Sequence, residues 1–217
     1  MKKGFTLLEL LIVIAIIAIL SAVAIFVLNP AETLRETRDA QRISDLATIK
    51  TALALYITKT TSTVVLDGGT NTLCYGGSGT RTLYYSYPSD SPGAAITDPV
   101  VDGTASSSQV TDANSGLVGG TGWIKVNLAG LTGGSPISNM PIDPTNDIAI
   151  SPSTLSNVSS TALVYRYACN FSDLTFEVNA QFESTSFATK KTKDGGNNAN
   201  LYEVGTKLSI LGTGSDF

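Results

Sequence analysis

The feature that most constrains this chain is a long apolar stretch close to its N-terminus. Between Leu10 and Leu28, Ser21 is the only residue that is not apolar. As a helix this stretch is about 28 Å long at ~1.5 Å per residue, close to the thickness of the hydrocarbon core of a membrane. Lipid offers no hydrogen-bond partner to the backbone, so a lone spanning segment must be helical. The sequence therefore predicts a membrane-spanning helix within residues 5–28.

The residues on either side of this stretch indicate its orientation in the membrane and whether it is cleaved. Lys2 and Lys3 precede it, and the positive-inside rule places them in the cytoplasm and the C-terminal bulk outside. A cleaved secretory signal peptide is one interpretation. Such peptides have apolar cores of roughly 7–15 residues that end at a small-residue cleavage site, whereas Asn29 and Pro30 follow here. An uncleaved membrane anchor is another interpretation.

Glu9 fits neither of these interpretations, because it lies at the start of the apolar stretch. A carboxylate within the membrane costs about 2.5–3.5 kcal/mol, and its presence indicates a positively charged functional partner. A cut between Gly4 and Phe5 would create an α-amine four residues before Glu9, on the same face of the helix. That amine could pair with Glu9 of its own chain or with Glu9 of a neighbour.

The N-terminal residues together resemble the class III signal of type IV pilins and type II secretion pseudopilins. The shared pattern is a short basic leader ending in Gly4, an aromatic Phe5, Glu9 at the fifth position after the cut, and an apolar stretch. The resemblance implies that a prepilin peptidase removes residues 1–4 and methylates the new amine of Phe5. It also implies that Glu9 pairs with the Phe5 amine of an adjacent subunit in a filament.

Residues 29–60 are predicted to form an amphipathic helix beyond the membrane. Asn29 can cap it, Pro30 suits its first position, and Glu32 would complete a capping box. A proline kink within one long helix is the simpler alternative. The family resemblance adds a third, in which residues Ala22–Pro30 are partly unwound.

This second helix carries charges first and an apolar stripe afterwards. The pairs Glu32–Arg35, Arg35–Asp39 and Asp39–Arg42 have helical spacing. They are interpreted either as a solvated surface or as contacts with neighbouring helices in a filament. The stripe is predicted to pack on a sheet, and it consists of Ile43, Leu46, Ile49, Leu53, Tyr56 and Ile57.

Residues 61–217 are predicted to form a β-rich head. Strand-like runs occur at Val64–Leu66, Leu83–Tyr87, Trp123–Leu128, Leu163–Cys169, Leu174–Phe182 and Tyr202–Leu211. In Leu174–Phe182 apolar residues alternate with Glu177, Asn179 and Gln181, which predicts one buried and one wet face. Residues Ser89–Gly122 are predicted to be an exposed loop. The expected fold is α+β: a long N-terminal helix packs by its upper half on an antiparallel sheet.

Two sets of residues in the head are candidates for a bond or a site. Cys74 and Cys169 could form a disulfide outside the cytoplasm, and two buried free thiols are the alternative. Asp194, Asn197 and Asn198 lie around two glycines and offer the oxygen ligands that calcium prefers. Major pseudopilins carry a calcium loop near the C-terminus, to which this segment is similar. An ordinary surface turn is the alternative, and no other cofactor is expected.

Composition narrows the function further. The chain has no histidine and its net charge is −4, and no nucleophile–base spacing can be found, so neither an enzyme nor nucleic-acid binding is expected. The resemblance implies a structural type IV pilus subunit that polymerises with itself, assisted by pilus assembly machinery. It would lie in the bilayer before assembly and in an extracellular pilus afterwards. The alternatives are a type II secretion pseudopilin and a membrane-anchored adhesin or DNA-uptake receptor that does not polymerise.

Overall fold

A computed structural model describes residues 4–79, 81–91, 105–148, 158 and 160–213, without the side chains of residues 25–28 and 105. Helix α1 runs over Leu7–Leu28 and helix α2 over Pro30–Lys59. Thr6 is the N-cap of α1, and Thr60 follows the end of α2. The N-terminal part of the protein is thus two helices in series.

The two helices are separated by one residue, Asn29. Its backbone is left-handed, with φ 37° and ψ 69°, a conformation that asparagine tolerates better than most residues. Helix α2 begins at Pro30 as expected, but the Asn29 side chain forms no capping bond. Glu32 does not complete a capping box either, because it accepts hydrogen bonds from Thr185. In the single chain α1 stays helical to Leu28, and the unwinding over Ala22–Pro30, which the resemblance implies for assembled filaments, stays a prediction.

The described residues of the head contain a five-stranded sheet. The strands, in chain order, are β1 (Arg81–Tyr85), β2 (Ala105–Ser108), β3 (Arg166–Cys169), β4 (Phe176–Ala180) and β5 (Tyr202–Gly205). Their order in the sheet is β2-β1-β3-β4-β5, with β1 and β2 parallel and the other neighbours antiparallel. A short helix α3 (Asp112–Ser115) and 3-10 turns at Leu128–Gly130 and Ala188–Thr192 lie outside the sheet. The α+β fold is confirmed.

One face of the sheet packs against α2 and forms the larger core. The centre of the predicted helix stripe is buried, whereas Ile43 and Ile57 at its ends are half-buried. The sheet and its loops contribute large aromatic side chains, among them Trp123, Tyr165 and Tyr167. Burial of these apolar side chains therefore anchors α2 to the head.

The opposite face of the sheet is also buried, which corrects the predicted wet face of β4. Glu177 and Asn179 are 0% exposed. The segment after β5 covers this face, and Ile210 and Leu211 belong to a second apolar cluster that includes Ala168 of β3. Both faces of β4 are dry because the predicted strand Tyr202–Leu211 ends at Gly205 and the residues after it fold over the sheet.

Two predicted strands are wrong. Residues 64–66 are irregular, because Asn71 takes the place of a neighbouring strand: it donates to Val64 O at 2.7 Å and accepts from Leu66 N at 2.6 Å. Residues 123–128 form bends that end in a 3-10 turn, and Trp123 Nε1 donates to Pro141 O at 2.8 Å.

The expected loop at Ser89–Gly122 is only partly a loop. It contains β2 and α3, and Val110 and Ser115 within it are buried. Residues 92–104 of this segment lie outside the described residues.

Candidate functional site

The N-terminal residues form a local cap at the start of α1. Glu9 Oε2 accepts hydrogen bonds from Thr6 N and Thr6 Oγ1, both at 2.9 Å, and Glu9 N donates to Thr6 Oγ1 at 3.2 Å. Together these bonds make a capping box. The uncleaved chain therefore already gives Glu9 two neutral donors, which sequence interpretation did not anticipate. Gly4 and Phe5 precede the helix, and Phe5 is 81% exposed.

The first helix presents an apolar surface on all sides. The large apolar side chains from Leu7 to Val23 are 45–82% exposed. Residues Leu7–Ala24 are long and apolar enough to cross a membrane, and none of this window is buried in the chain itself. An apolar surface of this size requires cover from lipid or from other helices.

Comparison with known families agrees with this geometry at the N-terminus. Residues 1–25 match the family model of the prokaryotic N-terminal methylation motif.

The chain carries a class III signal.

This signal is the hallmark of type IV pilins and pseudopilins, so the resemblance seen in the sequence is confirmed for the signal itself. No curated protein and no solved structure shows a significant match to the chain. The match is therefore confined to the N-terminal segment. The properties of the head are derived from its structure alone.

Five charged side chains, three of them buried, fasten the lower part of α2 to the head. We call them the ionic cluster: Arg38, Asp39, Arg42, Asp143 and Glu183. Arg42 binds both oxygens of Asp143, at 2.7 and 2.8 Å, and also Asp39 at 2.8 Å and Glu183 at 2.7 Å. Arg38 binds Glu183 through two bonds of 2.8 and 2.6 Å. The side chains of Arg42, Asp39 and Asp143 are fully or almost fully buried.

For Asp39 and Arg42 the ionic cluster corrects both interpretations of the charges on α2. Asp39 and Arg42 are neither solvated nor free for neighbouring helices, because they bind the head of their own chain. Hydrogen bonds from Arg38 and then Arg42 lower the pKa of Glu183 to about 2, although burial raises it. Only Glu32 and Arg35 form the surface pair expected from spacing, at 3.5 Å.

The loop after β4 is also held by carboxylates of α2. Asp39 accepts hydrogen bonds from the backbone N–H of Glu183 and Ser184, and from the Ser184 hydroxyl at 2.7 Å. Glu32 accepts from the N–H and the hydroxyl of Thr185, at 2.7 and 2.8 Å, and these bonds lower the pKa of Glu32. Residues 183–185 therefore form a strap across the lower part of α2.

Cys74 and Cys169 form a disulfide, as the sequence predicted. Their Cα atoms are 4.8 Å apart, and both residues are 0% exposed. Tyr75 N donates to Cys169 O at 2.8 Å and Phe171 N donates to Tyr75 O at 2.9 Å, so backbone bonds flank the bridge. The disulfide joins the loop before β1 to the end of β3.

Two of the three predicted calcium ligands, Asp194 and Asn198, accept hydrogen bonds from backbone donors, whereas Asn197 accepts none within the described part of the chain. Asp194 accepts from Gly196 N at 2.9 Å and from Glu203 N at 2.8 Å. The Oδ1 atom of Asn198 accepts from Asn200 N at 2.9 Å. In the part of the chain that the structure describes, no three carboxylate or thiol side chains are grouped so as to hold a metal. Asp194 and Asn198 therefore shape the turn.

Sequence reasoning missed two carboxylates next to this turn, Glu177 and Glu203. Both are buried, and burial raises the pKa of each. We call them the acidic pair. The signal in the sequence is a glutamate between apolar residues in both Phe176–Ala180 and Tyr202–Gly205. In the first of these segments the alternation predicts a wet face.

Proposed function

We propose that the chain is the structural subunit of a type IV pilus, polymerised through its N-terminal helices. The methylation motif supports a pilin-like or pseudopilin protein in general. The observation that carries the finer proposal is the position of Glu9 at the head of a fully exposed apolar helix.

The local cap does not account for Glu9 as a charged residue. A capping box is formed equally by glutamate or glutamine, and the two donors from Thr6 are neutral. A carboxylate in an apolar surrounding is costly unless a positive charge lies close to it. We propose that this charge is the Phe5 amine of an adjacent subunit, which fixes the axial register of the filament.

In this role the protein lies first in the membrane and then in a filament. Before assembly α1 lies in the membrane with the head outside, and lipid covers the apolar side chains. After assembly the same side chains are covered by α1 helices of other subunits, and the heads form the surface of an extracellular pilus. Prepilin peptidase and the assembly machinery of the membrane are the expected partners.

The first test concerns processing. We expect the mature chain to begin at Phe5 and to carry one methyl group, because cleavage after Gly4 creates the amine that Glu9 requires. Intact-mass measurement of protein sheared from cells checks this. A mature chain that still begins at Met1, or that is cut beyond Leu28, would contradict the proposal.

The second test removes the charge of Glu9 and keeps its hydrogen bonds. Glu9→Gln preserves the capping box, so membrane insertion should be unchanged. Incorporation into filaments should fall sharply, because the charge that selects the register is lost. The measurement is the ratio of subunits in sheared filaments to subunits retained in the membrane.

Two variants serve as controls. Thr6→Ala removes the cap and keeps the charge, so it should assemble nearly as well as the wild type. Leu8→Gln adds a polar group at the neighbouring position without changing any charge. Normal filaments from Glu9→Gln would refute the proposed role, and a loss with Thr6→Ala as severe as with Glu9→Gln would assign that role to the cap. If long surface fibres are not observed, the pseudopilin alternative is favoured.

A further inference from the structure

The strap brings one end of the head close to the membrane-spanning helix. Glu32 lies four residues after Leu28, the last residue of α1. That separation is about 6 Å along a helix and at most about 14 Å along an extended chain. Thr185 of the strap donates to Glu32 through its N–H at 2.7 Å and through its hydroxyl at 2.8 Å. When α1 spans a membrane, this end of the head therefore lies next to the lipid headgroups, which extend roughly 5–8 Å beyond the hydrocarbon core.

Basic side chains are exposed at this end of the head. The strap leads into the 3-10 turn Ala188–Thr192, which carries Lys190 and Lys191 and is followed by Lys193. Lys190 and Lys193 are exposed, and Lys191 is half-buried. Helix α2 adds Arg35, whose side chain is 51% exposed. We call Arg35, Lys190, Lys191 and Lys193 the basic face.

The carboxylates near the basic face are engaged by donors of the chain itself. Glu36 accepts from the Ser186 hydroxyl, and Asp194 accepts from two N–H groups of its own turn. The carboxylates of the ionic cluster bind its two arginines. Among the described residues no carboxylate forms an ion pair with Lys190 or Lys193. The net charge of the chain is −4, so this concentration of exposed cations is local.

A cleft of about 400 Å³ opens beside the basic face. Its walls combine the Arg35 guanidinium with apolar and polar side chains, those of Thr161, Leu163, Gln181, Phe182 and Glu183. Lys191 Nζ donates to Gln181 Oε1 at 2.8 Å, so a second cation lies next to the cleft. The Glu183 side chain is only 12% exposed and is bound by arginines of the ionic cluster. Cations beside apolar side chains match a phospholipid headgroup, in which a phosphate adjoins the apolar chains.

An exposed leucine lies at the same distance from the membrane helix. Leu34 follows Glu32 by two residues, and it is 60% exposed. A large apolar side chain that its own head leaves uncovered fits a position where lipid covers it. Leu34 therefore indicates, independently of the charges, that lipid reaches the level of the strap.

We propose that the basic face binds the phosphates of anionic phospholipids while the subunit is in the membrane. The cleft takes a headgroup phosphate against Arg35, and the three lysines lie among the neighbouring headgroups. The contact holds the strap end of the head against the bilayer and so fixes how the head stands on it. This inference rests on the proposed membrane location of α1 and is independent of polymerisation.

The test measures how lipid charge protects individual lysines. The full chain is reconstituted into vesicles of phosphatidylcholine alone and of phosphatidylcholine and phosphatidylglycerol in equal parts. A membrane-impermeant amine reagent is added, and modified lysines are identified by mass spectrometry. Lys190 and Lys193 should react about fivefold more slowly in the anionic vesicles, and high salt should remove the difference. Lys59, about 46 Å along the helices from Leu28, should react equally in both.

The outcomes separate this inference from the proposed function. Equal reaction of Lys190 and Lys193 in both kinds of vesicle, with the chain floating with both, would overturn the basic face alone. A chain that floats with neither kind would contradict the membrane location and this inference with it. Inorganic phosphate added to the neutral vesicles should leave both lysines reactive. Protection by phosphate as strong as that by phosphatidylglycerol would show a site for a free anion and overturn the assignment to lipid.

A pair of variants tests the cleft. Arg35→Gln removes its cation and should weaken the protection of Lys190 and Lys193 in the anionic vesicles. Lys50→Gln is the matched control, because it removes one exposed charge from the same helix about 33 Å from Leu28. It should leave the protection unchanged. Full protection in Arg35→Gln would overturn the role of the cleft.

Discussion

Arg42 is the residue whose loss tests the ionic cluster most directly. Arg42→Met replaces a buried guanidinium by an apolar side chain of similar length. The substitution removes the bonds to both oxygens of Asp143 and those to Asp39 and Glu183. Three carboxylates then remain together in a region where Asp39 is 0% and Asp143 is 2% exposed.

The expected cost follows from what these carboxylates can do afterwards. Asp39 still accepts from Ser184, and Asp143 still accepts from the N–H groups of Thr145 and Asn146, so neither can turn out to solvent without breaking further bonds. Removal of one partner from a buried pair costs about 3–5 kcal/mol. At roughly 2–4 °C per kcal/mol, the Tm should fall by about 6–20 °C.

The assay is thermal unfolding of the full chain in detergent micelles, with Arg35→Met as the matched control. Arg35 lies on the same helix, its side chain is 51% exposed, and it makes one ion pair of 3.5 Å with Glu32. An exposed pair of this kind is worth about 0–1 kcal/mol. Arg42→Met should therefore lower the Tm several times more than Arg35→Met does.

The destabilisation caused by Arg42→Met should also become smaller as the pH falls. The pKa of Glu183 in the folded protein, about 2, lies below its ordinary value of 4.5. Its contribution to stability is therefore present above the ordinary pKa and is lost as the pH falls towards 2. Arg42→Met brings the pKa of Glu183 back towards 4.5, so the difference in stability between variant and wild type should narrow as the pH falls from about 4.5 towards 2. A cost below about 1 kcal/mol, or a gap that widens in acid, would refute this account of the cluster.

Two further predictions concern the head. Replacing Cys74 and Cys169 together by alanine should destabilise the protein by up to ~4.7 kcal/mol, the chain-entropy value for residues 95 apart; denaturant unfolding measures this, and two alkylatable thiols in the wild type would contradict it. Gly196→Ala should cost about 1–3 kcal/mol, because a Cβ there would overlap the Glu203 carboxylate. Gly119→Ala, which meets nothing within 4 Å, is its control and should change stability by less than about 0.5 kcal/mol.

The sequence predicted those parts of the fold in which a periodic pattern is long. The apolar stretch and Glu9 identified the first helix and its signal, since few environments accept either feature. The stripe on α2 was predicted because residues such as Leu46 and Leu53 recur at helical spacing over several turns. Both are buried as expected.

The sequence could not predict what covers the second face of the sheet. The alternation in β4 indicated that Glu177 faces water, but Ile210 and Leu211 lie on it in the folded chain. These residues lie in the predicted run Tyr202–Leu211, of which only Tyr202–Gly205 forms a strand. The path of the chain after Gly205 therefore depends on contacts and not on local preference. The partner of Arg42 could not be predicted either, because Asp143 is 101 residues away in the sequence.

The position of the ionic cluster has a mechanical consequence. A pull along α1 enters α2 at Pro30 and meets the head first at the strap of residues 183–185 and at Arg38, Asp39 and Arg42. These contacts precede Leu46, the first fully buried apolar residue of the stripe on α2. Tension along the helix axis is therefore borne in shear by charged hydrogen bonds before it reaches the apolar core, so the core is shielded from the load.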